Sequence, residues 1–200
     1  GSGGDVASVI VAQNTLDEVS FLALARPCVE TAQNKGIAAI IAGDPRLANR
    51  MRADGIQYGQ NPDDISDAVE RFAPKIMIGA GNVRTRHNAL VIGELRPDYL
   101  MFGKPGGDTH DDPHPKNLDL GKWWSAMVEI PCIVVGGKKL ESVVTVAQNG
   151  AEFVALSSAI FAPEGDAMAK SDGGIAVVER IRQANELLDQ HAPIFEDDEG

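Results

Sequence analysis

Two short stretches carry residue types that suit anion binding. Gly136-Gly137 presents backbone N–H groups that no side chain shields, and Ser157-Ser158 adds two hydroxyl donors at the expected start of a short helix. Glycine pairs allow close approach to an oxyanion, and a helix start carries partial positive charge. Together they point to a phosphate site at Gly136, Gly137, Ser157 and Ser158. Either stretch alone would read as an ordinary turn or an N-cap. The loop Asp108-Thr109-His110-Asp111-Asp112-Pro113-His114-Pro115 concentrates imidazoles and carboxylates, a mixture that can hold a divalent cation. It lacks the register of a helix or strand, so the favoured reading is a proline-stiffened lid with its charges in water.

These residues need elements to position them. Seven short apolar runs fill the chain at near-regular intervals: Val6–Ala12, Ala38–Ala42, Gly55–Gly59, Lys75–Ala80, Asp98–Gly103, Cys132–Gly136 and Glu152–Leu156. Helix-like stretches follow them, among them Leu16–Asn34 with Thr15 as N-cap, Thr85–Leu95, Leu118–Val128, Leu140–Asn149 and Ile175–Gln190. Apolar strands alternating with amphipathic helices predict parallel pairing through crossover helices, hence an α/β fold. One helix per strand and short connections favour a closed (β/α)8 TIM barrel over an open doubly wound sheet. Seven is one short of eight, and the missing βα unit is expected at the amino end, before Gly3. One barrel domain over 3–192 and an acidic, disordered tail over 193–200 account for the sequence. In such barrels chemistry sits at the carboxyl ends of the strands, and phosphate often binds after the last two, where the glycine and serine pairs fall.

Composition narrows the partners. The 200 residues are 44% hydrophobic, enough for one core, and the net charge is −11. An acidic surface disfavours nucleic acid and anionic lipid. No apolar run approaches the roughly 20 residues that span a bilayer. No signal peptide is evident, so the expected location is cytoplasmic. The two cysteines, Cys28 and Cys132, read as small buried apolar residues rather than a disulfide or zinc pair. Of Trp123 and Trp124, which cannot share a helix face, one is expected in the core. A homodimer is allowed, although no patch in the sequence demands it.

Several motifs now form a series. Ala53-Asp54-Gly55-Ile56-Gln57-Tyr58-Gly59-Gln60, Ile78-Gly79-Ala80-Gly81, Asp98 to Gly103, Val135-Gly136-Gly137 and Gly150 to Ile160 resemble, in order and spacing, the motifs of the thiamine phosphate synthases and the related thiazole tautomerases. The resemblance covers roughly 3–162. It implies a (β/α)8 barrel and a transferase of thiamine biosynthesis that joins a pyrimidine diphosphate to a thiazole phosphate, using Mg2+ and releasing pyrophosphate. It also implies substrate contacts at Gln57, Gly81 and Gly103.

The departures are equally specific. The family's Q-x-R-x-K positions hold Ile10, Ala12 and Asn14. Its N-D pair becomes Ala42-Gly43, leaving Asp44 adjacent, and its second metal carboxylate falls near Pro62, beside Asp63 and Asp64. Asp44 and Asp63 are therefore the metal candidates. A serine becomes Gly81 and a histidine Val83. The T-x-T-K pyrophosphate loop is replaced by Gly107 to Asp111, and the tautomerases' histidine by Lys104. Losing cations and gaining carboxylates should weaken diphosphate binding, while the phosphate half looks intact. Three functions follow: a synthase-like transferase with a degenerate diphosphate and Mg2+ site, a catalytically inactive paralogue that binds a phosphorylated small molecule, or a tautomerase/isomerase in which Lys104 does acid–base work at a lowered pKa.

Overall fold

A computed structural model describes residues 6–161 and 173–191. The expected tail and the segment before Val6 lie outside them. The described residues form two compact units, 6–105 and 106–191.

The first unit alternates five strands and four helices: β1 Ser8–Ala12, α1 Glu18–Asn34, β2 Ala38–Ala42, α2 Pro45–Met51, β3 Gly55–Tyr58, α3 Pro62–Phe72, β4 Met77–Gly81, α4 Arg86–Glu94 and β5 Tyr99–Phe102. Each strand pairs in parallel with the next, as the alternation predicts. The core lies between β2 and the helices. Phe21, Ala25, Val29 and Ala32 recur at helical spacing along α1 and pack with Ala39, Ile41, Leu47, Met51 and Ile56. Ile40, on the opposite face of β2, is buried as well. A strand buried on both faces explains the unbroken apolar run Ala38–Ala42.

The second unit holds α5 Pro115–Ser125, β6 Cys132–Val135, α6 Ser142–Gln148, β7 Phe153–Ala155, α7 Ser158–Phe161 and α8 Gly173–His191. β6 and β7 are parallel, with Val134 opposite Val154. Its core joins Leu140, Val143, Ala159, Ile160 and Ala184.

Three helix starts share one local device. Asp44-Pro45, Asn61-Pro62 and His114-Pro115 each place a side-chain acceptor at the N-cap and a proline at the first helical position, where no N–H is needed. Three sequence expectations change accordingly. Asp17, not Thr15, caps α1, its carboxylate accepting from Ser20 N–H. α5 begins at Pro115 rather than Leu118, because His114 caps it. Cys28 is exposed rather than buried, whereas Cys132 is buried. Trp124 is the core tryptophan.

A second device ties strands together. Asp54, Asp98 and Glu152 each precede a strand and accept a hydrogen bond from the strand before it: Asp54 from Ala39 N–H (2.8 Å), Asp98 from Ile78 N–H (2.7 Å) and Glu152 from Cys132 N–H (2.8 Å). Asp54 and Asp98 also donate their own N–H groups back to Ala39 and Ile78 carbonyls. These links sit at the amino ends of the strands, the end that stabilises a fold of this kind and leaves the other for chemistry.

Candidate functional site

In the first unit the carboxyl ends of the strands surround a cavity of about 180 Å³ lined by Ala42, Gln57, Tyr58, Gly59, Gly81, Asn82, Lys104 and Pro105. The polar centre follows from register. Gln57, Gly79 and Tyr99 stand abreast on β3, β4 and β5. Gly79 has no side chain, so the Tyr99 ring crosses above it. Its hydroxyl donates to Gln57 Oε1 at 2.5 Å. A Cβ on Gly79 would fall on the ring itself, and one on Gly81 would fall on the Gln57 amide. Burial pushes the Tyr99 hydroxyl pKa far up, with Asp98 adding to the effect, so the phenol remains a neutral donor. Tyr58, at the cavity, is also shifted upward by burial, with Arg71 opposing and Asp64 and Asp44 reinforcing the shift.

Three residues expected at a substrate site therefore converge: Gln57, Gly81 and Lys104. Lys104 is exposed at the rim. Gly103 precedes it with φ 110°, a conformation that favours glycine, and its carbonyl accepts from Asn82 N–H at 2.7 Å.

The two metal candidates do not line this cavity. Asp44 caps α2 and is held by the Arg46 guanidinium, whose hydrogen bond keeps the carboxyl below its ordinary range. Asp63 is exposed in the first turn of α3. Among the described residues no three His, Cys, Asp or Glu side chains converge as metal ligands. Mg2+ is commonly held by one or two carboxylates together with substrate phosphates; here Asp44 is engaged by Arg46 and Asp63 is exposed.

In the second unit Gly136 and Gly137 follow β6, and Ser157 and Ser158 open α7. Their amides already have acceptors. Gly136 N–H donates to Ala155 O and Gly137 N–H to Ser142 Oγ, both at 2.9 Å. Ser157 N–H donates to Asp108 Oδ2 at 2.9 Å, and Ser158 N–H donates to the same oxygen. Asp108 is only 2% exposed. The lid expected to face water thus sends one carboxylate inward. The rest of the lid is fastened too. His110 O accepts from Lys138 N–H (2.8 Å), Asp111 O from Lys139 N–H (3.3 Å), and Asp111 pairs with the Lys139 ammonium at 2.9 Å. Gly137 is a glycine for a steric reason: a Cβ there would collide with the Asp111 carbonyl. Sequence reasoning missed Asp108 as a buried group because nothing in a loop of mixed charges distinguishes the one that turns in.

A parallel α/β chain with its cavity and its glycine and serine turns after strand ends has the broad architecture in which sites form at the carboxyl edge of the strands. The comparisons are narrower. The sequence model for thiamine monophosphate synthase matches residues 2–160. The thiamine-phosphate synthase of Erythrobacter litoralis is 31% identical over 150 residues, 73% of this chain and 70% of that protein. That of Rhodospirillum centenum is 30% identical over 172 residues, 84% and 83% of the two chains. The thiamine phosphate pyrophosphorylase structure from Pyrococcus furiosus superimposes with a TM-score of 0.69 at 21% identity, covering 92% of this chain and 85% of its own. This chain belongs to the thiamine monophosphate synthase family. No helix among the described residues is long and apolar enough to cross a membrane.

Proposed function

We propose that the chain is a thiamine phosphate synthase-type transferase, joining a pyrimidine diphosphate to a thiazole phosphate with release of pyrophosphate. The family match over residues 2–160 carries this reading. Gathering Gln57, Gly81 and Lys104 at one cavity supports it. In this reading Gln57 and Gly81 shape the substrate pocket with Gly103 beside them, Lys104 acts on the reacting group, and Gly136, Gly137, Ser157 and Ser158 receive a phosphate. The fold proposed with it is of the (β/α)8 barrel type, with 3–192 supplying seven βα units, on the strand–helix alternation and the likeness to the Pyrococcus structure.

One observation favours a second reading. Neither metal candidate, Asp44 or Asp63, is among the residues that line the cavity. A cavity lined without a carboxylate suits a protein that binds a phosphorylated small molecule without turning it over. Mixing the chain with both substrates and added Mg2+ decides between them. Pyrophosphate released above background, and lost in Lys104→Ala, supports the transferase. No release, with a melting temperature raised by the thiazole phosphate alone, supports the binding protein. Turnover of a thiazole phosphate that needs Lys104 but not Mg2+ would instead indicate an isomerase.

A further inference from the structure

The Asp108 carboxylate stands on two adjacent backbone amides, as an external oxyanion would, yet it belongs to the chain. One of its oxygens, Oδ2, accepts from Ser157 and Ser158 N–H. The other, Oδ1, is buried and has no hydrogen-bond partner among the described residues. An ionisable oxygen buried without a donor is costly, so this contact is an incompletely satisfied arrangement rather than a mere structural cap. The residues that hold Asp108 in place form a strap over Gly137. His110 and Asp111 carbonyls take the Lys138 and Lys139 amides, and the Asp111 carboxylate takes the Lys139 ammonium.

We propose that residues 107–111 are an autoinhibitory strap: Asp108 serves as an internal anion on the Ser157 and Ser158 amides, and an external phosphoryl anion gains those amides only by displacing it. The exchange is favoured by what each anion can satisfy. A carboxylate brings two oxygens and leaves one unpaired here. A tetrahedral phosphoryl group brings more oxygens, and the two serine hydroxyls beside the amides can meet them. Withdrawal of the strap would also remove Asp111 from a cavity of about 240 Å³ that it lines with Lys138, Lys139, Glu141 and Arg180. Cations would then outnumber carboxylates on that wall by three to one instead of three to two. The strap differs from the proposed reaction in needing no turnover, so a chain that releases no pyrophosphate can still display it.

The test is a titration of the full chain with inorganic phosphate, followed through backbone amide resonances. In the unaltered chain the Ser157 and Ser158 resonances should move together with those of Lys138 and Lys139, because the strap leaves as phosphate enters. Asp108→Ala should tighten phosphate binding about tenfold or more, since the competing carboxylate is gone. Asp108→Asn, which keeps the shape but not the charge, should fall between. Folded Asp108 variants that bind phosphate no more tightly than the original overturn the proposal. So does the unaltered chain if Ser157 and Ser158 respond while Lys138 and Lys139 stay bonded, or if neither pair responds. The titration of the unaltered chain decides the matter even where a variant does not fold.

Discussion

Tyr99 and Gly79 show how a single missing side chain builds a site. The ring of Tyr99 reaches Gln57 from two strands away only because Gly79 leaves the lane open. The hydrogen bond then fixes Gln57, a residue 5% exposed that faces the cavity. Tyr99→Phe removes the donor and leaves Gln57 Oε1 buried without one. The expected loss is about 1–2 kcal/mol in chemical denaturation. Gly79→Ala should cost more, about 2–3 kcal/mol, because a rigid buried ring has to move. Gly81→Ala presses on the terminal amide of Gln57, which can give more readily than a ring, and should cost less. If the two glycine variants are equally stable, the crossing ring does not explain Gly79. The sequence marked Gln57 and Gly81 through the order of its motifs, but nothing in it tied Tyr99 to Gln57. That pairing depends on parallel register, a long-range property.

Elements were legible where a local rule set them, and less so where a distant contact did. Six of the seven strands lie within the apolar runs that predicted them and β4 passes its run by one residue, Gly81, since burial on both faces leaves a plain compositional trace. Helix starts moved where the capping residue was misjudged, as at Asp17 and His114. Asp54, Asp98 and Glu152 looked like ordinary polar residues at strand entries; their role shows only once the preceding strand is beside them. Asp98→Ala should strip Ile78 N–H of its acceptor and lower stability by about 1–2 kcal/mol, with Asp54→Ala similar. No loss from either, by denaturant midpoint, would make these contacts incidental. The strap is an element of another sort, held partly by charge. Hydrogen bonding to Lys139 holds the Asp111 carboxyl below its ordinary range, and the charges of Lys139, Lys138 and His110 act in the same direction. A carboxyl depressed in the folded state lends stability above its unfolded value, near 4, and loses it as pH falls through the folded one. The melting-temperature gap between the original chain and Asp111→Asn should therefore be present at neutral pH and close below about pH 4. A gap that persists at low pH means the ion pair is not what fastens the strap.

At the scale of the whole molecule, each compact unit carries one thiol, and the two differ in their exposure. Cys28 lies on α1 in the first unit and is exposed. Cys132 lies on β6 in the second and is fully buried. Burial first, and then the neighbouring Glu152 carboxylate, push the Cys132 thiol pKa far up, so almost no thiolate exists there at working pH. A thiol reagent acts on the thiolate and must also reach it. The native chain should thus titrate one thiol quickly, and Cys28→Ser should titrate none. The second thiol should appear with denaturant, along the unfolding curve of the unit whose β6–β7 pair encloses it. Because Glu152 holds Cys132 N–H as well as raising its thiol pKa, Glu152→Ala should bring that exposure to lower denaturant concentration. If Cys132 reacts in the native chain at a rate near that of Cys28, then β6 opens far more readily than its burial allows.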